Sequence, residues 1–280
     1  MDEGWRRVLV IDSGVGGLSV AAAIRAHVPG AVQVYLADNG MFPYGRLSGV
    51  VLSARLTALV RDVRARVALD AAVIACNTAS TAVLAELRDA VPDLPFVGVV
   101  PPLKTAGEIS RSRVVALLAT EGTARSPYVD RLIADFLPDA RVLRPDCRGL
   151  AAEAEKKLRG QPVDPAAIRT AFAGLSPADR GAVDTVVLGC THYPFLEPEL
   201  TAELGHPARF LDPALPVARR LAQVLAETPT PAGQADTRWD DLVLFTAPDP
   251  TIARLDAALR RAGFPRAAQL EPEGSAPAGG

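Results

Sequence analysis

Short apolar runs alternate with longer stretches of helical spacing along this chain. The runs are Val8–Ile11, Val32–Leu36, Ala71–Ala75, Phe96–Val100, Val114–Leu118, Arg141–Leu143, Thr185–Gly189 and Leu242–Phe245. Each is too short for a helix and rich in Val, Ile and Leu, as strands buried on both faces are. Between them, Gly17–His27, Ser48–Val67, Thr78–Ala90, Ser126–Phe136, Gly149–Arg159 and Pro213–Ala226 carry helical spacing. The alternation predicts an α/β protein of doubly wound, parallel-sheet domains. Proline breaks at Val100-Pro101-Pro102 and Leu211-Asp212-Pro213 suggest where the chain leaves one domain and returns. The expected division is 1–99 plus 212–270 for the first domain and 100–211 for the second, with the Pro/Gly/Ala-rich stretch 271–280 a disordered tail.

An internal echo fits two such domains related by an approximate two-fold axis. Asp70-Ala-Ala-Val-Ile-Ala-Cys76-Asn77-Thr78 matches Asp184-Thr-Val-Val-Leu-Gly-Cys190-Thr191-His192 at an offset of 114 residues. Val8-Leu-Val-Ile-Asp12-Ser13-Gly14 is echoed from Val115 to Gly122, at an offset near 107. Any parallel strand ends in a polar loop, so chance similarity competes with duplication. The matched cysteines weigh towards duplication.

Bulk composition narrows the class. The 280 residues are 49% hydrophobic and 22% charged with a net charge of −2, the balance of an ordinary globular protein. That charge points to no nucleic-acid surface, and no apolar run reaches the length of a membrane span. The N-terminal MDEGWRRVLVID carries no leader pattern, so a cytoplasmic location is expected. Three cysteines, Cys76, Cys147 and Cys190, argue against a disulfide framework. The three lysines, Lys104, Lys156 and Lys157, lack the setting of a Schiff-base lysine, which speaks against pyridoxal-phosphate chemistry.

Ligands of open parallel sheets sit beyond the carboxyl ends of the strands. Cys76 and Cys190 each follow an apolar run directly and precede helical sequence, so both should lie at helix N-termini that favour a thiolate. A lone cysteine there would be read as core; two at equivalent positions suggest function. Two facing thiols suit removal of an α-proton from one face of an amino acid and its return on the other. Asp12 opens Asp12-Ser13-Gly14-Val15-Gly16-Gly17, which does not fit the spacing of a dinucleotide fingerprint. It reads as a site carboxylate or a helix N-cap. Asp38 alone is a weak match to a ribose-binding acid. Phe42-Pro43-Tyr44-Gly45 lies in the loop Asn39–Leu47, either a functional loop or a plain turn anchored by its tyrosine. His192, two residues past Cys190, could tune that thiol or pass a proton. His27, His206 and Cys147 read as structural.

The motifs Asp12–Gly17, Phe42–Gly45, Ala75-Cys-Asn-Thr-Ala79, Ala119-Thr-Glu-Gly-Thr123 and Gly189-Cys-Thr-His-Tyr-Pro194 together resemble the glutamate racemases, over essentially the whole chain. The resemblance implies two α/β domains with the active site between them and no cofactor or metal. It implies Cys76 and Cys190 as the catalytic pair, assisted by Asp12 and His192. Substrate binding would fall to Asp12, Ser13, Tyr44, Gly45, Asn77, Thr78, Thr191 and His192, with Thr123 adding a contact. An acidic residue behind the site would be Glu153 or Glu155. The implied substrate is glutamate, interconverted between its L and D forms to supply peptidoglycan synthesis, and the implied assembly a homodimer. Pro101-Pro102-Leu103 and Cys147-Arg148 depart from the family's usual Glu-Pro-Gly and Cys-Pro. The rival readings are a relative acting on aspartate or another amino-acid-like substrate, a metal site built from Cys76, Cys190, His192 and Asp12, and a binding protein without turnover.

Overall fold

The computed structural model describes residues 5–228 and 237–270, so the tail 271–280 lies outside the described residues. The strands are β1 (Arg6–Asp12), β2 (Ala31–Ala37), β3 (Ala71–Ile74), β4 (Phe96–Gly98), β5 (Val114–Ala119), β6 (Arg141–Leu143), β7 (Thr185–Gly189), β8 (Arg209–Leu211), β9 (Leu242–Phe245) and β10 (Arg266–Gln269). They form two sheets, ordered β10-β9-β2-β1-β3-β4 and β6-β5-β7-β8, with every pairing parallel.

Each central strand is buried on both faces, as its unbroken apolar run implies. Val8 and Val10 enter one core and Leu9 and Ile11 the opposite one. Ala116 and Leu118 likewise part from Val115 and Leu117 in the second sheet. That is the period of two expected of a strand between helical layers. Helix Leu18–His27 packs with helix Ala214–Glu227 on the first sheet through Val20, Ile24, Val217 and Leu221, which returns the chain to that sheet after Pro213.

The echo has a structural counterpart. The order β2-β1-β3-β4 is repeated as β6-β5-β7-β8. The register repeats too: Val8 faces Ala71 across β1 and β3, and Val115 faces Thr185 across β5 and β7. Val115 follows Val8 by 107 residues and Thr185 follows Ala71 by 114, the two offsets of the echo. The matched aspartates also do the same work. Asp70 accepts the backbone N–H of Arg7 at 2.7 Å beside β1, and Asp184 accepts those of Arg111 and Ser112 at 2.6 and 2.7 Å ahead of β5. No helix among the described residues is long and apolar enough to cross a membrane.

Candidate active site

The carboxyl ends of β1, β3, β5 and β7 converge on a small enclosed cavity. Ser13, Tyr44, Gly45, Cys76, Asn77 and Thr78 line it from the first sheet's side, and Thr120, Cys190, Thr191 and His192 from the second's. Its volume is about 20 Å³, room for about one water molecule. Cys76 and Cys190 are 7% and 8% exposed, so both thiols face this enclosed space rather than bulk solvent.

Cys190 follows β7 directly and is succeeded by a tight turn and the 3-10 segment Tyr193–Leu196, not by an α-helix. The turn folds His192 back on the thiol. Its Nδ1 lies 3.8 Å from Cys190 Sγ and its Nε2 2.9 Å from Glu155 Oε1. Burial would pull the imidazole's pKa down. The hydrogen bonds to Cys190 and Glu155 and the charge of Asp12 outweigh it and hold His192 well above its ordinary value. Glu155 shows the complementary balance. Burial raises it, yet His192, the Val15 N–H and Arg159 together hold it down at about 2. His192 is therefore biased towards its protonated form beside Cys190, with the Glu155 carboxylate behind it.

Glu155 reaches His192 through the glycine-rich loop after β1. Its Oε1 accepts the Val15 N–H at 2.7 Å. A Cβ on Gly14 would fall 2.3 Å from Glu155 Oε1, and one on Gly16 would fall 2.3 Å from His192 Nδ1. The glycines thus make room for the protein's own carboxylate and imidazole, delivered from the other sheet's side. Of the two acidic candidates, Glu155 touches His192. Glu153 faces away, bonded by Lys156 at 2.6 Å and by the Asp164 N–H at 2.8 Å.

Cys76 caps helix Asn77–Ala90. The expected preference for thiolate is not met there. Burial and the charge of Asp12 push Cys76 well above the ordinary thiol value, against the lowering influence of the Ala79 and Thr78 N–H groups. Asp12 is fully buried and itself raised by that burial. Asp12 is not the N-cap of helix Leu18–His27, a position Gly17 holds; its Oδ2 accepts the Gly17 N–H at 3.0 Å, while Oδ1 has no partner. Asn77, 2% exposed, has neither amide atom hydrogen-bonded. Buried polar atoms are almost always paired, so these three orphans are unusual; Asn77 lines the cavity and Asp12 does not.

Tyr44 is buried and donates to Asp38 at 2.8 Å. Asp38 also accepts two bonds from Arg55, at 3.0 and 2.6 Å, and one from Thr246 at 2.6 Å, so its oxygens are taken by protein donors and it anchors the Phe42–Gly45 loop. Thr78, Thr120 and Thr123 share hydroxyl contacts of 2.9 to 3.3 Å. Thr123 stands behind the cavity wall and Thr120 on it, a position the sequence reading missed although it lies inside the Ala119–Thr123 motif. Cys147 is buried outside the cavity, its thiol pushed up to about 12, chiefly by burial. None of the three lysines lines the cavity. Among the described residues, no group of three or more His, Cys, Asp or Glu is placed to hold a metal ion.

With this geometry in hand, comparison with known proteins is specific. The profile of the family described as Asp/Glu/Hydantoin racemase matches residues 18–221. The glutamate racemase of Sphingopyxis alaskensis is 48% identical over 218 residues, covering 78% of this chain and 81% of its own length. That of Brucella canis is 42% identical over 259 residues, 89% of this chain and 91% of its own. The crystal structure of Escherichia coli glutamate racemase, in complex with L-glutamate and the activator UDP-MurNAc-Ala, superposes with a TM-score of 0.84. It is 36% identical and covers 98% of this chain and 100% of its own.

Proposed function

Since the chain belongs to the Asp/Glu/hydantoin racemase family and is an isomerase, we propose that it interconverts L- and D-glutamate by proton transfer between two thiols, without a cofactor. The single observation that carries the reading is the pair Cys76 and Cys190, set on one cavity at equivalent ends of β3 and β7.

In this reading the Cys190 thiolate removes the α-proton of L-glutamate. The electron pair is left on Cα, conjugated with the carboxylate, and Cys76 delivers its proton to the opposite face. The reverse reaction exchanges the roles. The elevated Cys76 suits a group that waits as a thiol, and the adjacent imidazolium suits negative charge on Cys190. Asp12 and Asn77 offer unpaired polar atoms for the substrate's ammonium and carboxylate. Ser13, Tyr44, Gly45, Thr78, Thr123, Thr191 and His192 complete the binding set. The domains are then 1–99 plus 212–270 and 100–211, a division supported by the strands each sheet draws on. A cavity of this size admits an amino acid only after its walls part. D-glutamate made in the cytoplasm would serve peptidoglycan synthesis, and a homodimer is the assembly we infer.

The test is racemisation in deuterated water with no added cofactor. Each product should carry deuterium at low conversion while remaining substrate stays protiated, because the proton taken by one thiol is not the one returned by the other. Cys76→Ala and Cys190→Ala should each abolish racemisation. Activity surviving in either variant, early product without label, or equal turnover of aspartate would overturn the proposal.

A further inference from the structure

Glu155, the partner of His192, is itself held from behind. Arg159 caps the C-terminus of helix Leu150–Leu158 and is largely buried. Its Nη1 pairs with Glu155 Oε2 and donates to the Glu155 carbonyl at 3.1 Å. Its Nη2 lies 3.1 Å from Asp249 Oδ2, and its Nε donates to Thr251 Oγ1 at 3.1 Å. Asp249 is held in turn by the Thr251 N–H and hydroxyl, at 2.7 and 2.6 Å. Asp249 and Thr251 follow β9 of the first sheet, whereas helix Leu150–Leu158 lies between strands of the second. A continuous line of contacts therefore runs from the turn after β9, through Arg159 and Glu155, to His192 and Cys190.

We propose that Arg159 is a positioning residue for proton transfer at Cys190: it locks the Glu155 carboxylate with Oε1 aimed at His192, and does so only while the 249–251 turn is docked against it. The proposal rests on the two-thiol reading and deepens it. A glutamate carboxylate rotates freely about its last bond. The planar guanidinium fork fixes that rotation by occupying Oε2 while Oε1 is left to His192 and Val15. The carboxylate is thereby aligned only when residues of both sheets are in place, so competence at Cys190 is tied to closure of the site.

A structural tether between the two sheets would also slow the enzyme if cut, so the test must read which proton transfer limits. The equilibrium constant between enantiomers is one. Any substitution therefore lowers kcat/KM equally from both sides, whereas α-deuterium isotope effects need not move together. Arg159→Gln should reduce kcat/KM about ten- to a hundredfold, the range for losing a charge-assisted hydrogen bond. The isotope effect with α-deuterated L-glutamate should rise, because its abstraction by Cys190 now limits. That with α-deuterated D-glutamate should fall, because its abstraction by Cys76 no longer does. Arg159→Lys keeps the charge without the fork and should lie between. Asp249→Asn, which reaches the site only through Arg159, should shift both effects the same way by less, and it carries the test if Arg159→Gln does not fold. Isotope effects that stay fixed or move together as kcat/KM falls would overturn the proposal and leave Arg159 a tether. Racemisation surviving in Cys190→Ala would instead overturn the two-thiol reading, a separate outcome.

Discussion

Gly16→Ala isolates how closely the glycine loop fits the imidazole it receives. The backbone at Gly16 is not left-handed, so alanine is permitted there on conformational grounds. Its Cβ would nevertheless sit 2.3 Å from His192 Nδ1 and 2.5 Å from Cγ and Cε1. Ordinary contact begins near 3.4 Å, so the ring must withdraw by about 1 Å. It has little freedom to do so, with Nε2 held 2.9 Å from Glu155 and the Phe42 ring 5.6 Å away between centroids. A displacement of about 1 Å in a catalytic arrangement costs on the order of a hundredfold in rate, or about 2.7 kcal/mol. Stability should fall by no more than a comparable amount, about 0–2.6 kcal/mol. Overpacking costs about 1–3 kcal/mol, and replacing glycine by alanine returns about 0.4–1 kcal/mol through the unfolded chain. The assay is optical rotation of L- and D-glutamate with purified variants, alongside thermal unfolding. Gly49→Ala is the control, because nothing lies within 4 Å of its added methyl group. A folded Gly16→Ala variant with wild-type kcat/KM would refute the claim that the loop fixes His192.

Asn77→Ala should raise KM for glutamate severalfold while leaving the thermal midpoint level or higher, because neither amide atom has a partner whose bond would be lost; a clear drop in midpoint with KM unchanged would make Asn77 structural. Glu155 is depressed from 4.5 to about 2, so the stability it supplies is present above pH 4.5 and lost as pH falls towards 2. Over that window the thermal midpoint of the wild type should fall more steeply than that of Glu155→Gln, and parallel curves would contradict the assignment.

Much of this arrangement is legible in the sequence because parallel strands buried on both faces leave unbroken apolar runs. Where that condition fails, the reading is uneven: the edge strand β6 is visible, while β8 and β10 are not. β8 (Arg209–Leu211) is a three-residue edge strand and β10 (Arg266–Gln269) an exposed edge with the sequence RAAQ, and neither leaves a run. The thiols are visible because strand ends are. Their surroundings are less so. Helix N-terminal placement suggested a thiolate at Cys76, but burial and Asp12 prevail, and both depend on what packs around the strand end. Spacing cannot choose between Glu153 and Glu155. The choice is made by the turn that brings His192, 37 residues on, to one of them. The glycines of Gly14–Gly17 look like a cradle for a ligand's anion, and the anion they admit comes from helix Leu150–Leu158.

A chamber with room for about one water also governs how the protein ages. Thiolates are the form of cysteine that peroxides and electrophiles attack, and here both cysteines are more than nine-tenths buried. The parting that admits an amino acid admits such reagents as well. If the two thiols act as proposed, chemical wear on Cys76 and Cys190 would follow how often the chamber opens: an idle molecule would be protected by its own closure, and a working one exposed in proportion to its turnover.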